Sequence, residues 1–183
     1  MLVVNVASYW PFAKKNYQSL VKLYQMYEKY GLEIVAFPCN QFLNQEPHSN
    51  ESIKAYVKRQ YGVEFPLMDK VCVNGKETHD VFKYLRSNTK ELQSKQDPGA
   101  VLELPWNFCR WVVDKNGKVQ MYMNPIVDLQ ASYEIIEHLL EIDKRRKAGG
   151  TFWDAKSAMM DQELNLMQNV DMRSVKVQKQ IKI

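Results

Sequence analysis

The sequence predicts an α/β fold in which helices flank a mixed central sheet, and three observations predict it. Leu2, Val3, Val4, Val6 and Ala7 form an apolar run of strand length, the mark of a strand buried on both faces. This run and a second one, Leu32 to Phe37, are each followed by a stretch that reads as a helix, which is the order of a βαβ unit. Later the pattern becomes two short apolar runs joined by Asp114-Lys115-Asn116-Gly117, which reads as an antiparallel hairpin.

Taken in order, the Leu2 to Ala7 strand leads to a helix from about Lys14 to Tyr30. On it Tyr17, Leu20, Val21, Tyr24 and Tyr27 recur at helical spacing, and Gly31 closes it as a C-cap. Leu32 to Phe37 is the second buried strand, and a loop from Cys39 to Ser49 follows. Asn50 is expected to cap a helix running to Tyr61, stopped by Gly62. Phe65 to Val73 is read as holding a short strand that ends at the Asn74-Gly75 turn, and Thr78 to Leu85 as a helix. A polar loop, Ser87 to Pro105, precedes the hairpin of Phe108 to Val113 with Lys118 to Met123. A last core helix starts at Asp128 or Ser132 and carries Tyr133, Ile136, Leu139 and Leu140. These elements make one domain over residues 1 to 142.

Composition narrows the function classes. The chain has 183 residues, 45% of them hydrophobic, enough for one ordinary core plus an extension. No apolar run approaches the ~18 residues of a membrane span, and the opening residues lack the pattern of a secretory leader. Nine basic and five acidic residues follow position 142, which accounts for the whole net charge of +4. That basicity centres on Lys144 to Lys147, a cluster suited to ending a helix at its negative pole rather than to binding nucleic acid. Cys39, Cys72 and Cys109 show no metal-ligand spacing, and an odd number of thiols favours a reducing compartment. His48, His79 and His138 share no spacing, so no metal is expected.

The junction of the first strand and helix, Asn5-Val-Ala-Ser-Tyr-Trp-Pro-Phe-Ala-Lys-Lys-Asn-Tyr17, is where α/β folds place chemistry. It resembles the active-site turn of the glutathione peroxidases. The segments Phe37 to Phe42 with Asn44 to Pro47, Val73 to Gly75, and Trp106 to Phe108 resemble further signatures of that family, so the similarity covers roughly residues 2 to 140. The resemblance implies a thioredoxin-like fold. It also implies that Gln45, Trp106 and Asn107 stand where the family hydrogen-bonds and polarises its nucleophile. Trp10 stands where that selenium or sulfur would be, Pro11 where the family has Gly, and Ala13 where it has Thr. Peroxide cleavage needs a low-pKa thiolate or selenolate, and an indole is neither. The position matching the resolving cysteine of thioredoxin-dependent members is Lys58.

Other departures bear on assembly. The first strand begins where the family carries an upstream β-hairpin, so that hairpin is expected to be lacking. The loop before Trp106 is short, which argues against the family's tetramer. Beyond Gly149-Gly150, residues 151 to 169 are read as a helix with Trp153, Met160, Leu164 and Met167 near one stripe. Val175, Val177, Lys179, Ile181 and Ile183 then alternate with polar residues like a half-buried strand. This extension, residues 143 to 183, is expected to bind protein partners, through those two apolar sets.

The expectation is therefore an inactive glutathione-peroxidase-like protein, without cofactor, serving as a structural or interaction subunit of a larger assembly. An intracellular location is expected, in cytoplasm, cytoskeleton or cilium, or in a mitochondrion. The alternative is a glutathione- or thioredoxin-dependent hydroperoxide reductase or redox sensor, acting through Cys39 or through an unrecognised selenocysteine at position 10. Selenocysteine is encoded by UGA, which some codes read as Trp. Pro11 and Ala13 argue against that origin, since Pro removes the N–H and backbone freedom that Gly supplies.

Overall fold

The first strand, β1 (Leu2–Val6), is buried at every position and lies inside the sheet because four of its five side chains are apolar and the fifth, Asn5, is hydrogen-bonded. In this computed structural model, which describes residues 1–142, β1 pairs in parallel with β2 (Ile34–Pro38). On its other side it pairs antiparallel with β3 (Arg110–Val113), and β3 pairs antiparallel with β4 (Val119–Met123). The order β2-β1-β3-β4 gives the mixed sheet that the sequence predicts. Met1–Leu140 makes one compact unit. The expected helix-plus-strand extension, with Trp153, Met160, Leu164, Met167, Val175, Val177, Ile181 and Ile183, lies outside the described residues.

Helix α1 (Ala13–Tyr27) buries Tyr17, Leu20, Leu23, Met26 and Tyr27, and a 3₁₀ turn over Glu28–Tyr30 ends at Gly31 in the left-handed region, φ 100°. Helix α2 (Asn50–Tyr61) packs beside it, with the Tyr17 and Tyr61 rings stacked 4.9 Å apart. Helix α3 (Asp80–Ser87) covers the other face. There Phe82 meets Phe37 and Trp111 edge-on at 5.3 and 5.8 Å. The alternation of side chains along a strand divides the two layers. Val3, Phe37, Cys39, Cys109, Trp111 and Val113 belong to the α3 layer. A short helix, α4 (Tyr133–Leu139), closes the unit, preceded by a 3₁₀ turn that Asp128 caps by accepting from the Gln130 N–H.

Three expectations need correction. Phe65 to Val73 is not a strand of the sheet. Beside β2 it makes one parallel bridge, Ala36 to Leu67, where Pro66 offers only its carbonyl, and one further bond, the Val71 N–H on the Pro38 carbonyl at 2.9 Å. The cap of α2 is Ser49, whose Oγ accepts from the Ser52 N–H at 3.3 Å; Asn50 is the first helical residue, and its Oδ1 accepts from the Lys70 N–H at 2.9 Å. Helix α3 starts at Asp80 rather than Thr78, because His79 Nδ1 accepts from the Val81 N–H and Thr78 instead donates to the Gly75 carbonyl at 2.6 Å.

Candidate functional site

The turn from Ser8 to Phe12 is closed by the Ala13 N–H on the Trp10 carbonyl at 2.9 Å and the Asn16 N–H on the Phe12 carbonyl at 3.1 Å. These bonds launch α1 and set the Trp10 side chain at the end of β1. The Trp10 indole is half-buried and stacks on Phe108, with centroids 5.3 Å apart and a 26° interplanar angle. Phe12 meets the indole edge-on at 5.3 Å. Phe108 is itself buried in the left-handed region, φ 63°. The end of the turn is thus packed with aromatic rings, Trp10 and Phe12 with the facing Phe108.

Asn5 holds the facing loop in register. Fully buried in β1, it donates from Nδ2 to the Trp106 carbonyl at 3.1 Å, while its Oδ1 accepts from the Cys109 N–H at 2.9 Å. Such a clamp fixes Trp106, Asn107 and Phe108 beside the turn. Asn107 then donates from Nδ2 to Gln45 Oε1 at 2.8 Å. The Gln45 carbonyl accepts from the Tyr9 N–H at 3.0 Å, which ties the second loop to the turn. Trp106 is half-buried against Phe42, 5.7 Å between ring centroids. Of the four family-matching positions, Gln45 and Asn107 meet directly. Trp10 and Trp106 are each held by a neighbouring phenylalanine.

Cys39 lies outside this cluster. It is buried just past β2, donates to Gln41 Oε1 at 3.6 Å, and burial pushes its thiol up. Gln41 Oε1 also accepts from the N–H groups of Val73 and Asn74, and Asn74 exchanges two bonds with the Leu104 backbone. The second and third signature segments therefore staple loops to one another. Cys109 is buried too, and burial raises its thiol to about 11. Cys72 is half-buried. Lys58 is exposed on α2.

Sequence reasoning missed the most buried acid near the turn. Glu46 has no exposed surface, and its carboxylate accepts from both the Ser8 N–H, at 2.8 Å, and the Ser8 hydroxyl, at 3.0 Å. Burial raises its pKa, the Ser8 donors and Lys70 offset part of that, and Lys70 Nζ donates to the Glu46 and His48 carbonyls. The signal was an acid between Gln45 and an exposed proline; nothing in the spacing says that it turns inward. Arg110, buried in β3 with an unpartnered Nε, was also missed.

Residues 1–86 match the family model described as Glutathione peroxidase. A protein of Arabidopsis thaliana described as "Probable glutathione peroxidase 2" is 45% identical over 127 residues, which cover 68% of this chain and 70% of that one. The chain belongs to the glutathione peroxidase family. A second family member, the "Probable phospholipid hydroperoxide glutathione peroxidase" of Mesembryanthemum crystallinum, is 45% identical over 119 residues, covering 65% of this chain and 66% of its own. The match thus spans about two thirds of that relative's length. Among solved structures, "Crystal structure of Trgpx in apo form" superposes with a TM-score of 0.58 at 28% identity, over 76% of this chain and 79% of the other. A thioredoxin family protein from Chlorobium tepidum TLS reaches 0.51 at 16% identity over 76% and 78% of the two chains, which shows the thioredoxin-like fold.

Proposed function

We propose that this glutathione-peroxidase-family chain is non-catalytic and serves as a structural or interaction subunit of a larger assembly. One observation carries the reading. Trp10, at the position where the resemblance puts the family's selenium or sulfur nucleophile, is packed face to face on Phe108. Peroxide reduction forms a bond from that nucleophile to one peroxide oxygen as the O–O bond breaks, and a reductant then regenerates it. An indole performs neither step. One of the two Asn107 amide N–H groups is given to Gln45 Oε1, which ties that amide to the second loop. Cys39 and Cys109 are buried with raised thiol pKa values, which holds them as thiols rather than thiolates at neutral pH.

A second reading is favoured by the relatives' names, which describe hydroperoxide-reducing enzymes. It would run through Cys39, or through selenocysteine at position 10. Intact-mass measurement of the native protein decides the second version. In the first, Cys39→Ser would abolish hydroperoxide consumption with glutathione or thioredoxin. Our reading expects no saturable consumption in either protein.

The assembly role rests on the apolar stripe read over residues 151 to 169 and the alternation from 175 to 183, and all three cysteines being free thiols suits a reducing compartment. Deleting residues 151 to 183 is expected to shift the chain from a high-mass fraction of a native extract to monomer size. Unchanged migration of the deleted form would defeat the anchoring role.

A further inference from the structure

A hollow of about 240 Å³ lies between the first turn of α1 and the segment that follows β4. Trp10, Phe12 and Ile126 form its apolar wall, Lys15 and Arg110 bring cations to it, and Asp128 brings one carboxylate. Phe12 is 61% and Ile126 91% exposed, so large apolar surface is left facing water.

Arg110 is the unusual member. Only 3% exposed, it donates from Nη2 to the carbonyls of Asn124, at 3.1 Å, and Val127, at 2.6 Å, while its Nε has no hydrogen-bond partner. Buried cations ordinarily face an acid. Among the described residues the ion pairs are Lys54 with Asp69 and Lys83 with Asp80, so none reaches Arg110. The nearby Asp128 is exposed and spends Oδ1 on the Gln130 N–H at 2.9 Å.

The helix beside it adds to the imbalance. Helix α1 begins without a side-chain cap and without an acidic residue in its first turn, and Lys15 stands in that turn. A helix start is the positive end of the backbone dipole. Three sources of positive potential therefore meet a single exposed carboxylate, Asp128, beside rings that are open to solvent. The hollow is smaller than the ~300–1,000 Å³ of common small-molecule sites, which favours a compact ring over a long flexible chain. Rings also pack well on the faces and edges that Trp10 and Phe12 supply.

We propose that this hollow binds a small aromatic anion, its ring against Trp10, Phe12 and Ile126 and its carboxylate or phosphate toward Arg110 and Lys15. The hollow shares Trp10 with the turn, but binding is read without hydroperoxide, so its failure is distinguishable from failure of the non-catalytic reading.

The full chain would be titrated with 2-naphthoate by calorimetry and tryptophan fluorescence. Parallel arms would use the neutral 2-naphthylmethanol, decanoate and phosphatidylglycerol vesicles. Saturable one-to-one binding of naphthoate is expected, with naphthylmethanol weaker by about tenfold or more. Lys15→Gln and Ile126→Asp, both at exposed positions, should each weaken naphthoate binding at least severalfold without changing the melting temperature. Arg110 is left in place because its two carbonyl bonds hold the neighbouring segment. Equal affinity for the neutral alcohol, parental affinity in both variants, or a response only to decanoate or vesicles would overturn the proposal.

Discussion

Glu46 and the cysteines carry the residue-scale argument, because burial changes what each of them can do. The Glu46 pKa is raised above its ordinary value by desolvation, so the folded chain holds that proton more tightly than the unfolded chain does. Its contribution to stability is therefore full below the ordinary carboxylate pKa and is lost as pH rises through the raised folded value. Urea unfolding of the parent and of Glu46→Gln across that window should show the parent losing stability relative to the variant as pH rises. Glu46→Ala leaves the buried Ser8 N–H unsatisfied and should cost about 2 kcal/mol near neutral pH. For the thiols, burial predicts that iodoacetamide labels Cys39 and Cys109 at neutral pH only when urea opens the fold. Rapid labelling of Cys39 in the native protein would instead mark it as a reactive thiol. The sequence announced Trp10, Gln45, Trp106 and Asn107, because they fall in quotable motifs. It did not announce Glu46 or Arg110, whose importance comes from being turned inward, and burial of a charged residue leaves no periodic trace.

Elements were legible wherever local chemistry alone decides them. The apolar runs of β1 and β2, the glycines that close α1 and α2 at φ 100° and 70°, and the turn between β3 and β4 all act within a few residues. Errors arose where a choice between neighbours depends on tertiary bonds. Asn50 and Ser49 are both good caps, and Asn50 is taken out of the competition because Lys70, distant in sequence, occupies its side chain. Ser49→Ala should therefore cost about 1 kcal/mol of stability in urea unfolding, as loss of a cap does. Phe65 to Val73 shows the same limit. Its composition suits a strand, and a single proline with an exposed path keeps it out of the ladder.

For the whole molecule, family membership and the thioredoxin-like fold follow from the matches to known proteins, and the functional account follows from what fills the turn. The fold brings Gln45 and Asn107 into contact, and the turn carries Trp10 stacked on Phe108. Restoring the reagent is then a graded test: Trp10→Cys alone leaves Pro11 and Ala13 in place, whereas Trp10→Cys with Pro11→Gly and Ala13→Thr rebuilds the family pattern. The triple variant should gain thiol-dependent peroxide reduction well above the single variant, if it folds with the parent's circular dichroism spectrum. The most direct measurement is steady-state hydroperoxide consumption by the full-length protein, with glutathione and with thioredoxin as reductants, beside an equal concentration of Cys39→Ser. The account predicts that both proteins match the protein-free rate. A saturable rate in the parent would contradict it.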